Sequence, residues 1–512
     1  MCGILFISQK KPEISIENFK KTLKSQSWRG PDNTSYLSLF NNHILLGHNR
    51  LSILDTKSRS NQPMLSKDGR YAIIFNGEIY NYKEIIKKYN LKLNTSSDTE
   101  VILKGFIKIG KKILNEIDGM FSFLIYDKQK SKWLCARDRF GIKPLFIYQD
   151  KDKTVVGSEA GSIAKLLNLK VDTQSILEWK LLRSTTPQFT YFKKLHQFPK
   201  SCYKTDQSEF IPYYNLKKSK KKYNFNIMRK LINNSIKTHQ MGDVKCTSLL
   251  SGGIDSSIVL SKAFKVKNCY SVGLKNNNEF ILAKRISKKL KKKISLVKIK
   301  KKELISSWKY LTKLRGEPLS VPNEGLIYLV CRKMKKEHKI VLTGEGADEI
   351  FFGYDNIFRW ALNQKSFNFK EFLEFYSYSN NIKPTQRFKK YVFRLKTKKK
   401  IIDFVEDFFY DFHLPILLRR MDFASMAASK EARVPFVSKK IIDYFYRKNP
   451  NIKIDQAFSK KPLRQYINSI NLSFILNTKK IGFSANMQKN LDKFDEYKFF
   501  QNIVLKEFKK IY

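Results

Sequence analysis

Apolar and polar positions along the chain fall into two regimes. From Met1 to about residue 205, short apolar or alternating segments such as Tyr71–Asn76 and Phe121–Asp127 are separated by turn signals at Gly30-Pro31-Asp32, Asp68-Gly69 and Asp118-Gly119. That pattern predicts a strand-rich region. Further on, strand and helix signals alternate. Apolar runs at Cys246–Leu250, Cys269–Leu274, Lys293–Lys300 and Lys339–Gly346 are spaced by helical patterns, one of them from about Glu279 to Lys291. This is the cadence of a parallel sheet wrapped by helices. From about Phe351 the pattern is mostly helical to the end. The polar, basic stretch Asn215–Asn224 interrupts the two regimes like a linker. The expected division is 2–205, a basic linker at 206–225, and 226–512. No internal repeat is visible.

Composition narrows the picture only in places. The 512 residues, 42% of them apolar, allow two or three domains with full cores. No apolar run approaches a membrane span. The start MCGILFIS precedes the first lysines, the reverse of a secretory signal, so a cytoplasmic protein without a membrane partner is expected. Lysine and arginine (99) outnumber aspartate and glutamate (45), giving +54. That excess would ordinarily suggest nucleic acid. Here it runs through both halves alongside an excess of Ile, Asn, Phe and Tyr, as a general compositional bias would. The runs Lys217–Lys222, Lys288–Lys293 and Lys396–Lys400 are then solvated faces, and no specific nucleic-acid partner is expected. The six cysteines form no CxxC pair, and no histidine sits in a metal-binding pattern.

Two places carry chemistry. The segment Ser251–Ser257, SGGIDSS, follows an apolar strand and opens a helix. Gly252 and Gly253 let backbone N–H groups crowd around an oxyanion at the positive end of that helix. Ser251, Ser256 and Ser257 supply hydroxyls, and Asp255 can hold Mg²⁺ against bound phosphates. A glycine pair between strand and helix is by itself an ordinary connector; the acid and three serines turn it into a phosphate cradle, without the lysine of a Walker loop. The second place is Cys2. With Met1 removed, its α-amine and thiol titrate near ~8 and ~8.5, so one residue supplies both base and nucleophile.

The motifs around Cys2 carry a resemblance. MCGI, Arg29–Asp32 (RGPD), His48–Asp55 (HNRLSILD), Phe75–Asn81 (FNGEIYN) and Ser96–Glu100 (SSDTE) resemble the class II glutamine amidotransferases. That resemblance implies an N-terminal-nucleophile αββα sandwich in which Cys2 attacks the glutamine side-chain amide. Asn76 and the N–H of Gly77 would form the oxyanion hole. Arg50 would take the glutamine α-carboxylate and Asp98 its α-ammonium, with Leu51, Ser52, Ile53 and Glu78 completing the pocket. An arginine fork suits a carboxylate, and fixed amide donors suit a developing oxyanion.

The second half resembles the synthetase domain of the asparagine synthetase family, within the ATP-pyrophosphatases. It would be a pyrophosphate-loop α/β domain with a parallel sheet and a helical C-terminal part. The resemblance implies ATP binding by Leu249, Ser251, Gly252, Gly253, Asp255, Ser256, Ser257, Val272, Thr343, Gly344 and Lys460, with Val272 at the adenine. Leu342–Tyr354 (LTGEGADEIFFGY) supplies Glu345 as a base or electrostatic element and Asp348, with Asp255, as a Mg²⁺ ligand. Met421–Phe436 places Glu431 and Arg433 on the acceptor side.

The resemblance covers about 2–483 and implies asparagine synthesis from glutamine, aspartate and ATP, in a family that often forms homodimers. Rival readings are a paralogue amidating another carboxylate, on a sugar or peptide, and an RNA-modifying pyrophosphate-loop enzyme. The chain departs from the family pattern at Trp28 (usually His), Gly161 (usually Lys), Gly316 (usually Asp), Phe352 (usually Gly) and Ser438 (usually Asp). Phe352 and Ser438 lie near the signatures that shape the acceptor side.

Overall fold

The computed structural model describes residues 2–274, 278–379, 381–478 and 493–512. Met1, and Phe483 at the end of the resemblance, lie outside the described residues. The first half contains two six-stranded antiparallel sheets. One is ordered Leu195–Gln197, Phe146–Gln149, Lys153–Gly157, Gly3–Gln9, Ile44–Arg50, Asn33–Leu39, and the other Ile211–Pro212, Cys202–Thr205, Lys132–Arg137, Gly119–Asp127, Tyr71–Ile79, Met64–Leu65. The near-continuous apolar run of Gly3–Gln9 follows from burial on both faces. Ile4 and Phe6 point between the sheets toward Ile74, Leu124 and Trp133. Leu5 and Ile7 point outward to Phe19 and Leu23 of the helix Ile16–Ser25. Helices Tyr82–Tyr89 and Asp98–Ile109 cover the other sheet. This is the expected αββα sandwich. Its second sheet takes in Ile211–Pro212, inside the stretch expected to be a linker.

The second half is built on a five-stranded parallel sheet ordered Lys293–Ile299, Asn268–Leu274, Lys245–Leu249, His338–Leu342, Glu431–Arg433. The last strand lies within the C-terminal part expected to be mostly helical. Its three residues are too few to show a period, and it exists because it pairs with Ile340–Leu342. The remaining C-terminal elements are helices, and those from Asp355–Asn363 to Ile401–Phe408 surround an aromatic core that includes Phe358, Phe404, Phe408 and Phe412. No helix among the described residues is long and apolar enough to cross a membrane.

The halves interlock. Helix Thr173–Leu182 of the first half inserts Leu181 and Leu182 into that aromatic core. Arg387 fastens it with ion pairs to Asp172 (2.6 Å) and Glu178 (2.7 Å).

The five departures each have a local setting. Trp28 packs edge-on against Phe423 of the other half, ring centroids 5.3 Å apart. A Cβ at Gly161 would lie 2.1 Å from the Arg315 carbonyl oxygen and 3.0 Å from the Gly316 Cα, so no longer side chain fits there. Gly316 itself adopts φ +64°, which favours glycine. Ser438 accepts the Ile441 N–H at the start of helix Lys439–Phe445, the capping task an aspartate would perform. Phe352 adopts φ +58° and stacks flat on Phe358 at 4.0 Å, with the Lys453 ammonium 4.2 Å from its ring centroid.

Candidate active sites

Cys2 begins the central strand Gly3–Gln9 and is buried beside Asn76 of the facing sheet. The Cys2 N–H donates to Asn76 Oδ1 at 3.1 Å. That contact fixes the amide, leaving Asn76 Nδ2 buried with no hydrogen-bond partner and free to donate to a ligand. A Cβ at Gly77 would lie 2.1 Å from the Met120 carbonyl oxygen, so only glycine fits this strand-to-strand approach. Burial pushes the Cys2 thiol above its ordinary value.

A small pocket brings together Cys2, Arg50, Leu51, Ile53, Gly77, Glu78 and Asp98. Ser52 does not line it; its N–H donates to Asp32 Oδ2 of the RGPD segment at 2.7 Å and shapes the loop. The Arg50 guanidinium donates to the Lys57 carbonyl and Asn61 Oδ1, both at 2.8 Å, and to the Asp55 carbonyl. Burial raises the Asp98 carboxyl to about 7, although the Ile79 N–H donates to it at 2.8 Å. Burial also raises Glu78, against the opposing pull of Arg433.

The second site lies at the C-terminal ends of the parallel strands, as the topology of open α/β sheets favours. Gly252 adopts φ +85° and turns the chain from Lys245–Leu249 into helix Ile254–Lys262. Ser251 and Ser256 line a cavity of about 240 Å³ with Leu249, Asp255, Thr343, Gly344, Glu345 and Asp348. Ser257 turns away, donating to the Gly253 carbonyl at 2.7 Å, and Val272 stands one strand over, outside the lining. A Cβ at Gly344 would lie 2.8 Å from the Ser256 nitrogen, so the two loops meet backbone to backbone.

Lys460 Nζ bridges Asp255 Oδ2 (2.6 Å) and Asp348 Oδ1 (2.5 Å). Burial opposes its charge, but the two carboxylates outweigh burial and hold it protonated. A Cβ at Gly353 would fall 1.9 Å from Asp348 Oδ1 and 2.3 Å from Lys460 Cε, so this cradle depends on glycine. Two carboxylates converging on one cation fit Mg²⁺, which pairs a few carboxylates with phosphate oxygens.

Glu345 Oε1 accepts from Arg420 Nη2 at 2.7 Å. Glu349, next to Asp348 in the chain, is buried and raised to about 8 by burial and by Asp348 and Glu345. Tyr354 donates to it at 2.6 Å, and His413 approaches at 3.7 Å. Neither Arg420 nor His413 stood out in the sequence, because a charge in a helical stretch carries no pattern of its own, and Glu349 lay inside the segment Leu342–Tyr354 without being singled out.

Glu431 and Arg433, expected on the acceptor side, do not line this cavity. Each is fully buried, paired at 2.6 Å, and Arg433 reaches Glu78 of the first half at 3.1 Å. The short strand carrying them runs along the sheet edge facing the other half, which a linear motif cannot reveal. Burial opposes the Glu431 charge, but Arg433 outweighs it and the carboxyl falls to about 2.

A second buried array joins the sites. Arg29 is fully buried; its Nε donates to the Cys2 carbonyl (3.0 Å), Nη1 to Glu159 (2.6 Å) and Nη2 to Asp422 (2.8 Å). Asp422 and Arg420 both belong to helix Leu414–Met426.

The glutamine amidotransferase domain model matches residues 1–214, and the asparagine synthase model matches residues 228–507. Asparagine synthetase (glutamine-hydrolyzing) 1 of Bacillus subtilis is 28% identical, over 94% of this chain and 87% of its own length. A putative asparagine synthetase (glutamine-hydrolyzing) 2 of Methanocaldococcus jannaschii is 30% identical, over 69% of this chain and 76% of its own length. Asparagine synthetase B (glutamine-hydrolyzing) of Escherichia coli is 27% identical, over 89% and 76%.

Proposed function

The chain belongs to the asparagine synthase family, and from that premise we propose how its residues divide the glutamine- and ATP-dependent synthesis of asparagine. The first unit, 2–205, hydrolyses glutamine; the second, 226–512, makes the amide bond. The observation that carries a two-site enzyme is the single helix Leu414–Met426. It holds Glu345 through Arg420 and, through Asp422 and Arg29, the Cys2 carbonyl.

In the first unit, with Met1 removed, the Cys2 amine takes the thiol proton and the thiolate attacks the glutamine amide carbon. Arg50 and Asp98 hold the α-carboxylate and α-ammonium. Asn76 Nδ2 and the Gly77 N–H receive the developing oxyanion, each donor contributing roughly 10²–10³ in rate. Collapse to the thioester expels ammonia; water then releases glutamate and restores the thiol. Leu51, Ser52, Ile53 and Glu78 shape the pocket around this exchange.

In the second unit ATP lies across Leu249, the loop Ser251–Ser257, Thr343 and Gly344, with Val272 toward the adenine. Asp255 and Asp348 would hold Mg²⁺, which neutralises phosphate charge when bound. Lys460 adds a fixed positive charge to the same cradle. The aspartate β-carboxylate attacks the α-phosphorus and pyrophosphate leaves. Ammonia then attacks the acyl carbon, AMP departs, and Glu345, oriented by Arg420, takes the proton that ammonia sheds. Bulk water would protonate the ammonia, so the buried boundary between the units protects its nucleophilicity. The reaction draws on free small molecules and is placed in the cytoplasm, with homodimer formation open to a sedimentation test.

Mass spectrometry of the products tests the reading. The protein is incubated with glutamine, ATP and Mg²⁺, with and without aspartate. Asparagine and AMP are expected only with aspartate; glutamate without asparagine would move the acceptor to another carboxylate.

A further inference from the structure

A second cavity, of about 500 Å³, opens on the other side of the phosphate cradle and shares Gly252, Gly253, Asp348 and Lys460 with it. One of its walls comes from the opposite half of the chain. Arg183 stands just past helix Thr173–Leu182 in the left-handed conformation (φ +67°), its N–H donating to the Trp179 carbonyl. The helix is locked from below by Arg387, and the Tyr378 N–H donates to the Leu181 carbonyl at 2.9 Å. Arg183 therefore projects from a fixed support into the synthetase half.

Its surroundings are unusual for a guanidinium. The side chain is 93% buried, leaving 7% exposed. It lies 3.7 Å from the Tyr378 ring centroid, and the groups that act on its charge are the hydroxyls of Tyr378, Tyr497, Tyr376 and Tyr354, of which Tyr376 and Tyr497 also hydrogen-bond with it. Among the described residues no carboxylate forms an ion pair with it, and its Nε has no hydrogen-bond partner. A buried cation without a counter-charge is costly, and proteins compensate it with a partner or with a ligand. Arg29 has Asp422, Arg420 has Glu345 and Arg433 has Glu431, whereas Arg50 in the Cys2 pocket is held by main-chain and amide oxygens. Arg183 faces a cavity whose far wall is the Gly252-Gly253 turn, whose backbone suits phosphate oxygens.

We propose that Arg183 is a substrate-binding residue for the pyrophosphate portion of ATP, supplied to the synthetase site by the glutaminase half. The inference rests on the adenylation reading above and adds to it a residue outside every recognised motif. It makes productive ATP binding depend on the docking of helix Thr173–Leu182. The same contact would hold pyrophosphate after it is expelled, so product inhibition reports on it directly.

The test uses the full-length Arg183→Gln and Arg183→Lys variants with three readouts: KM for ATP, inhibition by added pyrophosphate, and KM for aspartate. Loss of a charged hydrogen-bond partner should raise the ATP KM and weaken pyrophosphate inhibition by about 10- to 100-fold in Arg183→Gln. Arg183→Lys should recover part of both, with glutaminase rate and aspartate KM unchanged. Unaltered pyrophosphate inhibition in a folded variant, or a shift in aspartate KM instead, would overturn the assignment. If Arg183→Gln does not fold, thermal shift of wild type and Arg183→Lys against sodium pyrophosphate decides. Weaker stabilisation of the lysine variant supports the proposal, and equal stabilisation refutes it. Wild-type protein that forms no asparagine would strike the underlying reading; unchanged inhibition with synthesis intact would strike only Arg183.

Discussion

The two sites are built in opposite ways. Around Cys2, the groups come from adjacent strands of facing sheets and close tightly, so the pocket is small and its donors are held by main-chain geometry. Around Lys460, the groups come from loops at the ends of parallel strands, from two helices and, at Arg183, from the other half of the chain. The first arrangement suits one small substrate and one bond-breaking event. The second must hold a nucleotide, an acceptor and an incoming nucleophile, and it relies on charge placed from several directions.

That contrast predicts separable failures. The largest effect is expected from Cys2→Ala. Glutamine-dependent synthesis should fall by about 10⁴-fold or more, as for loss of a nucleophile elsewhere, while synthesis from ammonium salts persists; loss of both in folded protein would erase the division. Gly353→Ala should do the reverse. Its methyl collides with Asp348 and Lys460, so synthesis from either nitrogen source should drop on the order of 10²-fold or more, with glutaminase retained. Comparable loss of glutaminase would show that the cradle and the Cys2 pocket are one unit.

A smaller effect comes from pH. The Asp98 carboxyl, raised to about 7, is neutral below that pH and cannot pair with the glutamine ammonium. The KM for glutamine should therefore rise as pH falls below about 7, by up to about tenfold per unit, while the KM for ammonia-dependent aspartate use shows no such step from Asp98. Asp98→Asn should flatten the profile. The smallest effect is expected at Ser438→Ala, which removes a helix cap that lines neither pocket. It should lower stability by about 1 kcal/mol in a denaturant titration and leave both activities alone.

The difference between the sites also explains what the sequence disclosed. Cys2, Asn76-Gly77 and Ser251–Ser257 are legible because each chemical requirement is met within a few consecutive residues: a terminal amine beside its thiol, an amide beside a glycine, two glycines before a helix. Strands such as Tyr71–Ile79, Gly119–Asp127 and Lys245–Leu249 were legible for the same local reason, unlike the three-residue strand Glu431–Arg433. Glu431 and Arg433 were expected on the acceptor side from their position within a motif. They face Glu78, because the direction of a three-residue edge strand is set by its neighbour and not by its own sequence. Arg183 and Arg420 were invisible among the many basic residues of the chain; burial singles them out, and burial is a property of the fold. The departures tell a complementary story. Gly161 and Gly316, both departures from the family pattern, approach each other backbone to backbone, and a pattern of single positions cannot register such a pair.

Helix Leu414–Met426 has a consequence for recombining this chain with its relatives. A chimera joined between residues 214 and 228 would seem natural, since it respects both halves as sequence units. It would bring a foreign partner to Arg29, whose guanidinium is fully buried between Glu159 on its own side and Asp422 on the other. If the donor helix lacked an acid in that place, part of a buried charge would go uncompensated, at about 3–5 kcal/mol, and the Cys2 carbonyl would lose a fixed neighbour. Exchange would succeed only for donors that carry both ends of this bond, so Arg29, Glu159 and Asp422 should be transplanted as one heritable module.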